Sequence, residues 1–362
     1  MKRFLQRLPG RLIRLCALIG LTGVVLAYLS TQVTPVYFPF FAFFGLTYFV
    51  WFTISVIGLV YSLARKRWVM AGLVALTFIF TWDLVGRTFS LSTSEELEEH
   101  SEELSIMSYN VRLFDLYNWT EGVETRNAIF DFLEENPSDV ICFQEFYRTD
   151  RTGVFETRDT LVQFLDNIHV HEKLAYEPRA KQYFGIATFS KFKIVGKGEV
   201  DFQSEGHNYC IYTDIKKGDD TLRIYNAHLA SIRFQHEDYE AIDQGPKAED
   251  AKRLAERMKI AYRKRAEQAD RVSNHMRTSP YPTIIAGDFN DTPVSYVYEQ
   301  ISRDMTDAFH VGDQLIGSTH LGKYPFFRID YLMHSSELNT KEFRTIDVRY
   351  SDHRPIRGIL SY

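Results

Sequence analysis

The stretch PTIIAGDFNDTP, Pro282–Pro293, decides the fold of this chain. Its apolar run, Ile284–Ala286, ends at Gly287 and is followed by the polar residues Asp288 and Asn290. This order predicts a buried strand that opens into a polar loop. Such a strand can deliver a carboxylate and a carboxamide to a catalytic rim. An Asx turn without a catalytic role is compatible with the same sequence. The choice between these two interpretations depends on the rest of the chain.

Other predicted strands end on polar residues of the same kind. Ser105–Leu113 alternates apolar and polar positions like a half-buried strand, and Val140–Phe143 is a short apolar run. Taken singly, each polar strand end also fits a solvated or core position. Candidate residues also lie inside the alternating strand Phe327–Met333 and in the final YSDHR segment. The full set is Asn110, Glu145, Asn226, His228, Asp330, Asp352 and His353.

A long helix, Glu249–Met276, is predicted from its apolar spacing and is rich in Lys and Arg. Its basic side chains could bind phosphate backbones, or they could form a solvated face with interspersed Glu, which we favour. With a formal net charge of −5, the chain lacks the overall basic character that is typical of nucleic-acid-binding proteins. The three cysteines predict no disulfide framework.

Three apolar runs fill the first quarter of the chain, Leu12–Leu29, Tyr37–Leu63 and Trp68–Val85. Each approaches or exceeds the ~18–20 residues that a helix needs to cross the hydrocarbon layer. We therefore expect three transmembrane helices. The first run has a basic start and could instead be a signal peptide, although no clear small-residue cleavage site follows it.

The distribution of Lys and Arg predicts the orientation of these helices. Basic residues precede the first run and recur at Arg65–Arg67, whereas Ser30–Val36 carries no charge. Cytoplasmic loops collect Lys and Arg, so we expect a cytoplasmic N-terminus and an extracytoplasmic, periplasmic domain after the third run. Asp83 fits a solvated position at the interface better than a functional charge inside the membrane. The expected organisation is a membrane anchor (1–90), an acidic linker (91–103) and a catalytic domain (104–362).

The polar residues lie in six motifs, which are SYN, FQE, NAHL, GDFN, RIDY and SDH in chain order. This set resembles the endonuclease/exonuclease/phosphatase superfamily, which includes deoxyribonuclease I, exonuclease III, neutral sphingomyelinases and inositol polyphosphate 5-phosphatases. The resemblance covers about Leu104 to Tyr362. It implies a four-layered α/β sandwich, in which two mixed, mostly antiparallel sheets pack face to face with helices outside. The strand and helix pattern agrees with this fold class.

The resemblance also implies a phosphate-ester hydrolase that uses Mg²⁺ or Mn²⁺, hard cations that prefer oxygen ligands. Glu145 is the implied metal carboxylate, with Asn110 beside it and Asp352 as a further ligand. The metal would act mainly as a Lewis acid on the phosphoryl oxygen.

Catalytic roles follow from the same resemblance. His353 would pair with Asp330 and activate water, and Asp288 is a rival for that role that the sequence cannot eliminate. The residues expected to bind phosphate are Asn226, His228 and Asn290, and His228 could also protonate the leaving oxygen. Direct attack by water is expected, without a covalent intermediate.

The leading hypothesis is a membrane-anchored, metal-dependent phosphoesterase, integral to the membrane, with a slight preference for lipid or small phosphodiester substrates. An enzyme held at a bilayer meets lipid-linked phosphates at high effective concentration. The runner-up is an extracytoplasmic endonuclease or exonuclease acting on DNA or RNA, which the basic stretch Lys252–Arg271 would support. A catalytically inactive binding module with the same fold is the third hypothesis. The sequence identifies no protein partner.

Overall fold

The computed structural model describes residues 10–90, 102–151, 153, 155–165, 169–203, 206–232, 247–312, 314–322 and 327–362. The chain divides into two compact units. The helical unit comprises the described residues of Met1–Thr88, Ile232–Ala266 and Asp291–Glu299. The sandwich unit comprises those of Phe89–Ser231, Glu267–Asn290 and Gln300–Tyr362. Most of the predicted acidic linker, residues 91–101, lies outside the described residues.

The α-helices in the described ranges are α1 (Gly10–Gln32), α2 (Ala42–Leu46), α3 (Tyr48–Ala64), α4 (Trp68–Phe80), α5 (Trp82–Thr88), α6 (Val123–Glu135), α7 (Thr157–Phe164), α8 (Ala248–Met276) and α9 (Tyr296–Ser302). Small residues bring α1 and α3 close together. A Cβ atom added at Gly20 would lie 2.8 Å from Ile54, and one added at Gly23 would lie 2.3 Å from the Trp51 ring. Close approach through small residues is the usual way in which apolar helices associate in membranes.

The segment Asp291–Glu299, directly after the GDFN motif, belongs to the helical unit. Val294 is buried in a cluster with Val24 of α1 and Leu84 of α5. A Cβ atom added at Gly45 of α2 would lie 2.1 Å from the Val294 carbonyl oxygen. The segment that follows the motif therefore packs within the helical unit.

The expectation of three transmembrane helices is corrected by the helix lengths. In the described part of the chain, one helix, Leu12–Gln32, is long and apolar enough to cross a membrane. The second run is divided between α2 and α3, and the 17 residues of α3 rise about 25 Å, less than the ~30 Å hydrocarbon layer. The third run bends by 62° between α4 and α5. Hydropathy reports composition and does not detect such breaks.

The strands in the described ranges are β1 (Glu103–Asn110), β2 (Val140–Thr149), β3 (His169–Glu177), β4 (Gln182–Ser190), β5 (Lys193–Glu199), β6 (Tyr209–Lys217), β7 (Asp220–His228), β8 (Thr283–Asp288), β9 (Thr306–Asp307), β10 (Asp330–His334), β11 (Asn339–Thr345) and β12 (Ile356–Ser361). They form two six-stranded sheets, with orders β11-β12-β1-β2-β4-β3 and β5-β6-β7-β8-β10-β9. The pairs β1–β2 and β7–β8 are parallel, and the other pairs are antiparallel. Two mixed, mostly antiparallel sheets are thus confirmed.

Alternation along the strands builds the layers of the sandwich unit. Leu104 and Ile106 of β1 pack in one core with Ile224 of β7 and Ile284 of β8, so this core lies between the two sheets. Met107 and Tyr109 of β1 point to the opposite face of the first sheet and pack with Ile129 and other residues of α6. The other sheet is covered by the C-terminal part of α8, where His275 hydrogen-bonds the hydroxyl of Tyr225 at 2.8 Å. Burying apolar surface on both faces fixes the register of each strand.

Candidate active site

Three predicted site residues form a row across neighbouring strands of the second sheet. His228 on β7 is paired with Asp288 on β8, and Asp288 is paired with Asp330 on β10. The strands β7 and β8 approach closely at Gly287, where an added Cβ atom would lie 2.0 Å from the Ala227 carbonyl oxygen. Only glycine permits this approach. The register therefore brings one imidazole and two carboxylates to the same edge of the sheet.

Two asparagines hold the carboxylate of Asp288. Asn110, at the end of β1 in the first sheet, donates from Nδ2 to Asp288 Oδ2 at 3.1 Å. Asn290 donates from its backbone N–H to Oδ1 at 2.8 Å and from Nδ2 to Oδ2 at 3.2 Å. Burial raises the pKa of Asp288, and the neighbouring Asp330 adds to this effect while His353 opposes it. Asp288 is thus a fixed carboxylate with increased affinity for a proton.

Glu145 sits at an irregularity in β2. The pairing of β2 with β4 shifts between Phe143 and Phe146, and Glu145 has a φ of +49°. Bulges of this kind redirect a side chain and are common beside active sites. Burial, together with the nearby carboxylates of Asp352 and Asp288, raises the pKa of Glu145 to about 7. Its side chain is 34% exposed, so it is still accessible to a ligand.

His353 pairs with Asp330 as the sequence predicts. Its Nδ1 lies 2.9 Å from Asp330 Oδ2, and its Nε2 lies 3.8 Å from Asp288 Oδ2. Burial lowers the pKa of His353, but the carboxylates of Asp330 and Asp288 outweigh it and raise this pKa well above 6.5. The imidazolium form is therefore favoured at neutral pH. Among the described residues, none donates a hydrogen bond to the buried Oδ1 of Asp330.

Asp352 lies at the accessible side of this cluster, with its side chain 35% exposed. Its Oδ2 is 3.3 Å from Arg112 Nε, and its Oδ1 lies 3.3 Å from the Ser351 hydroxyl oxygen. That hydroxyl donates to the backbone oxygen of Asn110 at 2.7 Å. The SDH segment is thereby tied to the end of β1.

His228 and Asn226 lie two positions apart on β7, on the same face of the strand, but have different surroundings. His228 Nε2 lies 3.9 Å from Glu145 Oε1 and 3.8 Å from Asp288 Oδ2, so it faces the carboxylate cluster. Asn226 is fully buried, and its Nδ2 faces the Phe143 and Ala187 carbonyl oxygens at 3.2 and 3.0 Å. Its Oδ1 accepts from the Gln144 side chain at 2.8 Å. Asn226 joins the two sheets, and the phosphate-binding role predicted for it finds no support in this geometry.

A model of the Endonuclease/Exonuclease/phosphatase family matches residues 107–353, more than half of the chain. The chain belongs to this family. The matched range contains every site residue described above, and the protein is an enzyme that hydrolyses phosphate esters. A second model, of a domain of unknown function, matches residues 10–88. A search of curated proteins found no match.

Solved structures share the fold of this family member. A mannosyl-6-phosphatase from Bacteroides thetaiotaomicron VPI-5482 is 20% identical, with a TM-score of 0.51 over 72% of this chain and 100% of that chain. A family protein from Leptotrichia buccalis is 17% identical, with a TM-score of 0.51 over 72% and 100%. The human Nocturnin catalytic domain with bound sulfate is 16% identical, with a TM-score of 0.51 over 74% and 96%. The predicted family and its sheet architecture are therefore confirmed.

Sequence reasoning missed two residues beside this family's motifs. His320 forms an isolated bridge with His353, and their ring centroids lie 5.3 Å apart. Burial and the nearby His353 lower the pKa of His320. Arg112 contacts Asp352 and follows Asn110 by two positions. Neither residue lies at a strand end, so the pattern of apolar and polar residues that identifies other site residues does not identify it.

Two groups of side chains in the described residues have their ligand atoms close enough to hold a metal ion. One group is Asp288, Asp330 and His353, and the other is His320, Asp352 and His353. The predicted ligands Glu145 and Asp352 are near enough that the charge of Asp352 raises the pKa of Glu145. The group with two carboxylates, Asp288, Asp330 and His353, suits a hard divalent cation better than the group with two histidines.

Proposed function

We propose that the protein is a membrane-anchored, divalent-metal-dependent phosphoesterase that uses water directly as the nucleophile. The observation that carries this proposal is the concentration of carboxylates at one edge of the sandwich unit, next to an imidazolium. Asp288, Asp330 and Glu145 lie beside His353 there, with hydrogen bonds that fix three of these four groups.

The donor set fits Mg²⁺ or Mn²⁺. Burial raises the pKa of Glu145, and the charges of Asp352 and Asp288 raise it further. A divalent cation would offset these neighbouring negative charges. Glu145 and Asp352 would hold the ion, with Asn110 beside them. When bound, the ion supplies Lewis-acid polarisation of the phosphoryl group.

Electrostatics favour a division of roles between Asp288 and His353. Asp288 is oriented by two asparagines and has a raised pKa, so it suits the removal of a proton from the attacking water. His353 favours the charged form and is oriented by Asp330, so it suits the stabilisation of negative charge on the phosphoryl oxygens. His228 faces Glu145 and Asp288, where it would contact the phosphoryl or leaving oxygen.

The helical unit supports membrane attachment. The helix Leu12–Gln32 has a mean hydropathy of 2.2, and only 28% of its most apolar window is buried inside the protein. Large apolar side chains remain exposed on it, including Leu15 and Ile19. We propose that α1 crosses the membrane, with the N-terminus in the cytoplasm and the sandwich unit outside. The Lys and Arg residues that precede the apolar part of α1 support this orientation.

The substrate we favour is a phospholipid head group or a small phosphate ester. An enzyme anchored to a bilayer meets lipid-linked substrates at a high effective concentration. The basic charges of α8 give little support to the nuclease alternative, because several have partners within the protein. Arg265 is buried against Asp291 at 3.2 Å, and Lys259 pairs with Glu256 at 2.7 Å.

The test uses the full-length chain in lipid nanodiscs, because the segment after Asn290 packs on the N-terminal helices. Phospholipids, glucose 6-phosphate and supercoiled plasmid DNA are incubated with Mg²⁺ or Mn²⁺, with and without EDTA. We expect metal-dependent release of phosphate or head group and intact plasmid. Nicking of the plasmid without ester release would establish the nuclease instead, and release that persists in EDTA would contradict metal dependence.

A further inference from the structure

The chain after Asn110 adopts an unusual left-handed turn. Four consecutive residues, Arg112–Asp115, have φ between +44° and +57°. This conformation is unfavourable for each residue other than glycine, and such strain is concentrated at active sites and ligand-binding loops. Burial compensates for it, because Phe114 is fully buried and packs on Phe143 and Phe146.

The buried carboxylate of Asp115 then fixes the loop that follows. It accepts hydrogen bonds from the backbone N–H groups of Trp119 at 2.8 Å, Thr120 at 3.1 Å and Gly122 at 2.7 Å. Asn118 has a φ of +57°, and Gly122 has a φ of +60°. A single side chain thus holds the loop in one conformation.

This rigid loop exposes two aromatic side chains. Tyr117 is 60% exposed and Trp119 is 46% exposed, and their rings meet edge to face with centroids 5.2 Å apart. About half of each side chain therefore remains in contact with water, and covering this apolar surface with a ligand would be favourable. The two rings form a corner that can cover the face and the edge of a third ring.

Arg112 connects this corner to the active site. Its guanidinium lies over the Trp119 ring at 4.3 Å, and its Nε is 3.3 Å from Asp352 Oδ2. One guanidinium group therefore separates the Trp119 ring from a predicted metal ligand. A group esterified to a phosphate at the active site would extend over this distance.

We propose that Tyr117 and Trp119 form a subsite that stacks a sugar or cyclitol ring attached to the phosphate of the substrate. This inference rests on the proposed hydrolysis of phosphate esters at the same site. The other exposed residues of the loop, Asn118, Thr120 and Glu121, carry hydrogen-bonding groups suited to ring hydroxyls. Glu121 also disfavours the further phosphates of a nucleic acid strand.

The experiment compares ligands that differ in the esterified group. Dissociation constants of glucose 6-phosphate, glycerol 3-phosphate and phenyl phosphate are measured by ligand-observed NMR with the full-length protein and Mg²⁺, and phosphate release is followed in parallel. The variants are Tyr117→Ala, Trp119→Ala and Trp119→Phe. The control is Tyr176→Ala, because Tyr176 is 50% exposed and stacks on Tyr183 of the first sheet.

We expect the wild type to bind glucose 6-phosphate more tightly than glycerol 3-phosphate. Each alanine variant at Tyr117 or Trp119 should reduce this preference by about 2- to 13-fold, the range for a single ring pair. Trp119→Phe should retain most of it, and Tyr176→Ala should retain all of it.

Equal affinity for the sugar and glycerol esters, or a preference that survives both alanine variants, would overturn the subsite. A preference for phenyl phosphate alone would overturn its assignment to sugar or cyclitol rings. Failure of the proposed function has a different outcome, in which no ester releases phosphate although the sugar preference persists and depends on Trp119.

Discussion

The substitution Asp330→Asn tests the pairing of His353 most sharply. The Asp330 carboxylate and the His353 ring are both buried, and their atoms are 2.9 Å apart. A hydrogen bond to a charged group contributes about 1.5–3 kcal/mol and a neutral one about 0.5–1.5 kcal/mol. Asparagine can still accept from Nδ1, so the variant loses about 1–1.5 kcal/mol of this interaction. We expect kcat/KM to fall about 5- to 13-fold at a pH where His353 is charged.

The dependence of kcat/KM on pH tests the charge of His353 directly. The Asp330 and Asp288 carboxylates raise the pKa of His353, so in the folded enzyme the imidazolium is present below this raised pKa and is lost as pH rises through it. Removing the Asp330 charge lowers that pKa. The alkaline limb of the kcat/KM profile should therefore move to lower pH, and the loss of activity should grow as pH increases.

The assay is phosphate release by the full-length protein across pH, with Asp304→Asn as the matched control. Asp304 is 64% exposed and pairs with Arg277 at the surface, so its neutralisation should leave both rate and profile unchanged. An alkaline limb at the same pH in wild type and Asp330→Asn would refute the role assigned to the pair.

Three further predictions concern packing and topology. Gly287→Ala should lower the free energy of unfolding by more than about 3 kcal/mol, because the new Cβ meets a carbonyl of β7, while Gly86→Ala, where nothing packs within 4 Å of the new Cβ and φ is not positive, should not. Gly45→Ala should lower both the melting temperature and the rate of phosphate release, since Gly45 packs against the chain that follows Asn290, and Gly72→Ala is its control. A reporter fused after Tyr362 should be active only outside the cytoplasm. Wild-type melting of either glycine variant, or a reporter active only in the cytoplasm, would contradict the corresponding prediction.

The sequence predicts the core of the sandwich unit well for a physical reason. A strand buried on both faces reads as an apolar run, and its polar end marks the edge of the sheet. Asp288 is found in this way, and pairing then places it beside Asp330, which the sequence puts inside an alternating strand. The family resemblance adds what periodicity lacks, because it connects strands such as β1 and β8 that lie far apart in the chain.

Other features depend on tertiary geometry that one sequence does not encode locally. The direction of an amide at a strand end is set by its neighbours, so the sequence does not reveal that the side chain of Asn226 joins the two sheets. His320 lies in a loop and meets His353 only after folding. The left-handed turn at Arg112–Asp115 is made by ordinary residues, and no glycine marks it. Helix breaks in the apolar runs are likewise invisible to hydropathy.

The measurement that tests the central claim most directly is phosphate release by the full-length protein as Mg²⁺ is titrated, with Glu145→Gln beside wild type. The control is Glu342→Gln, an exposed carboxylate on β11 that pairs with Arg344. We predict saturable activation of wild type and the control, and loss of about 10²-fold or more in Glu145→Gln with unchanged melting. Equal activity of Glu145→Gln and wild type, with the same metal dependence, would contradict the proposed site.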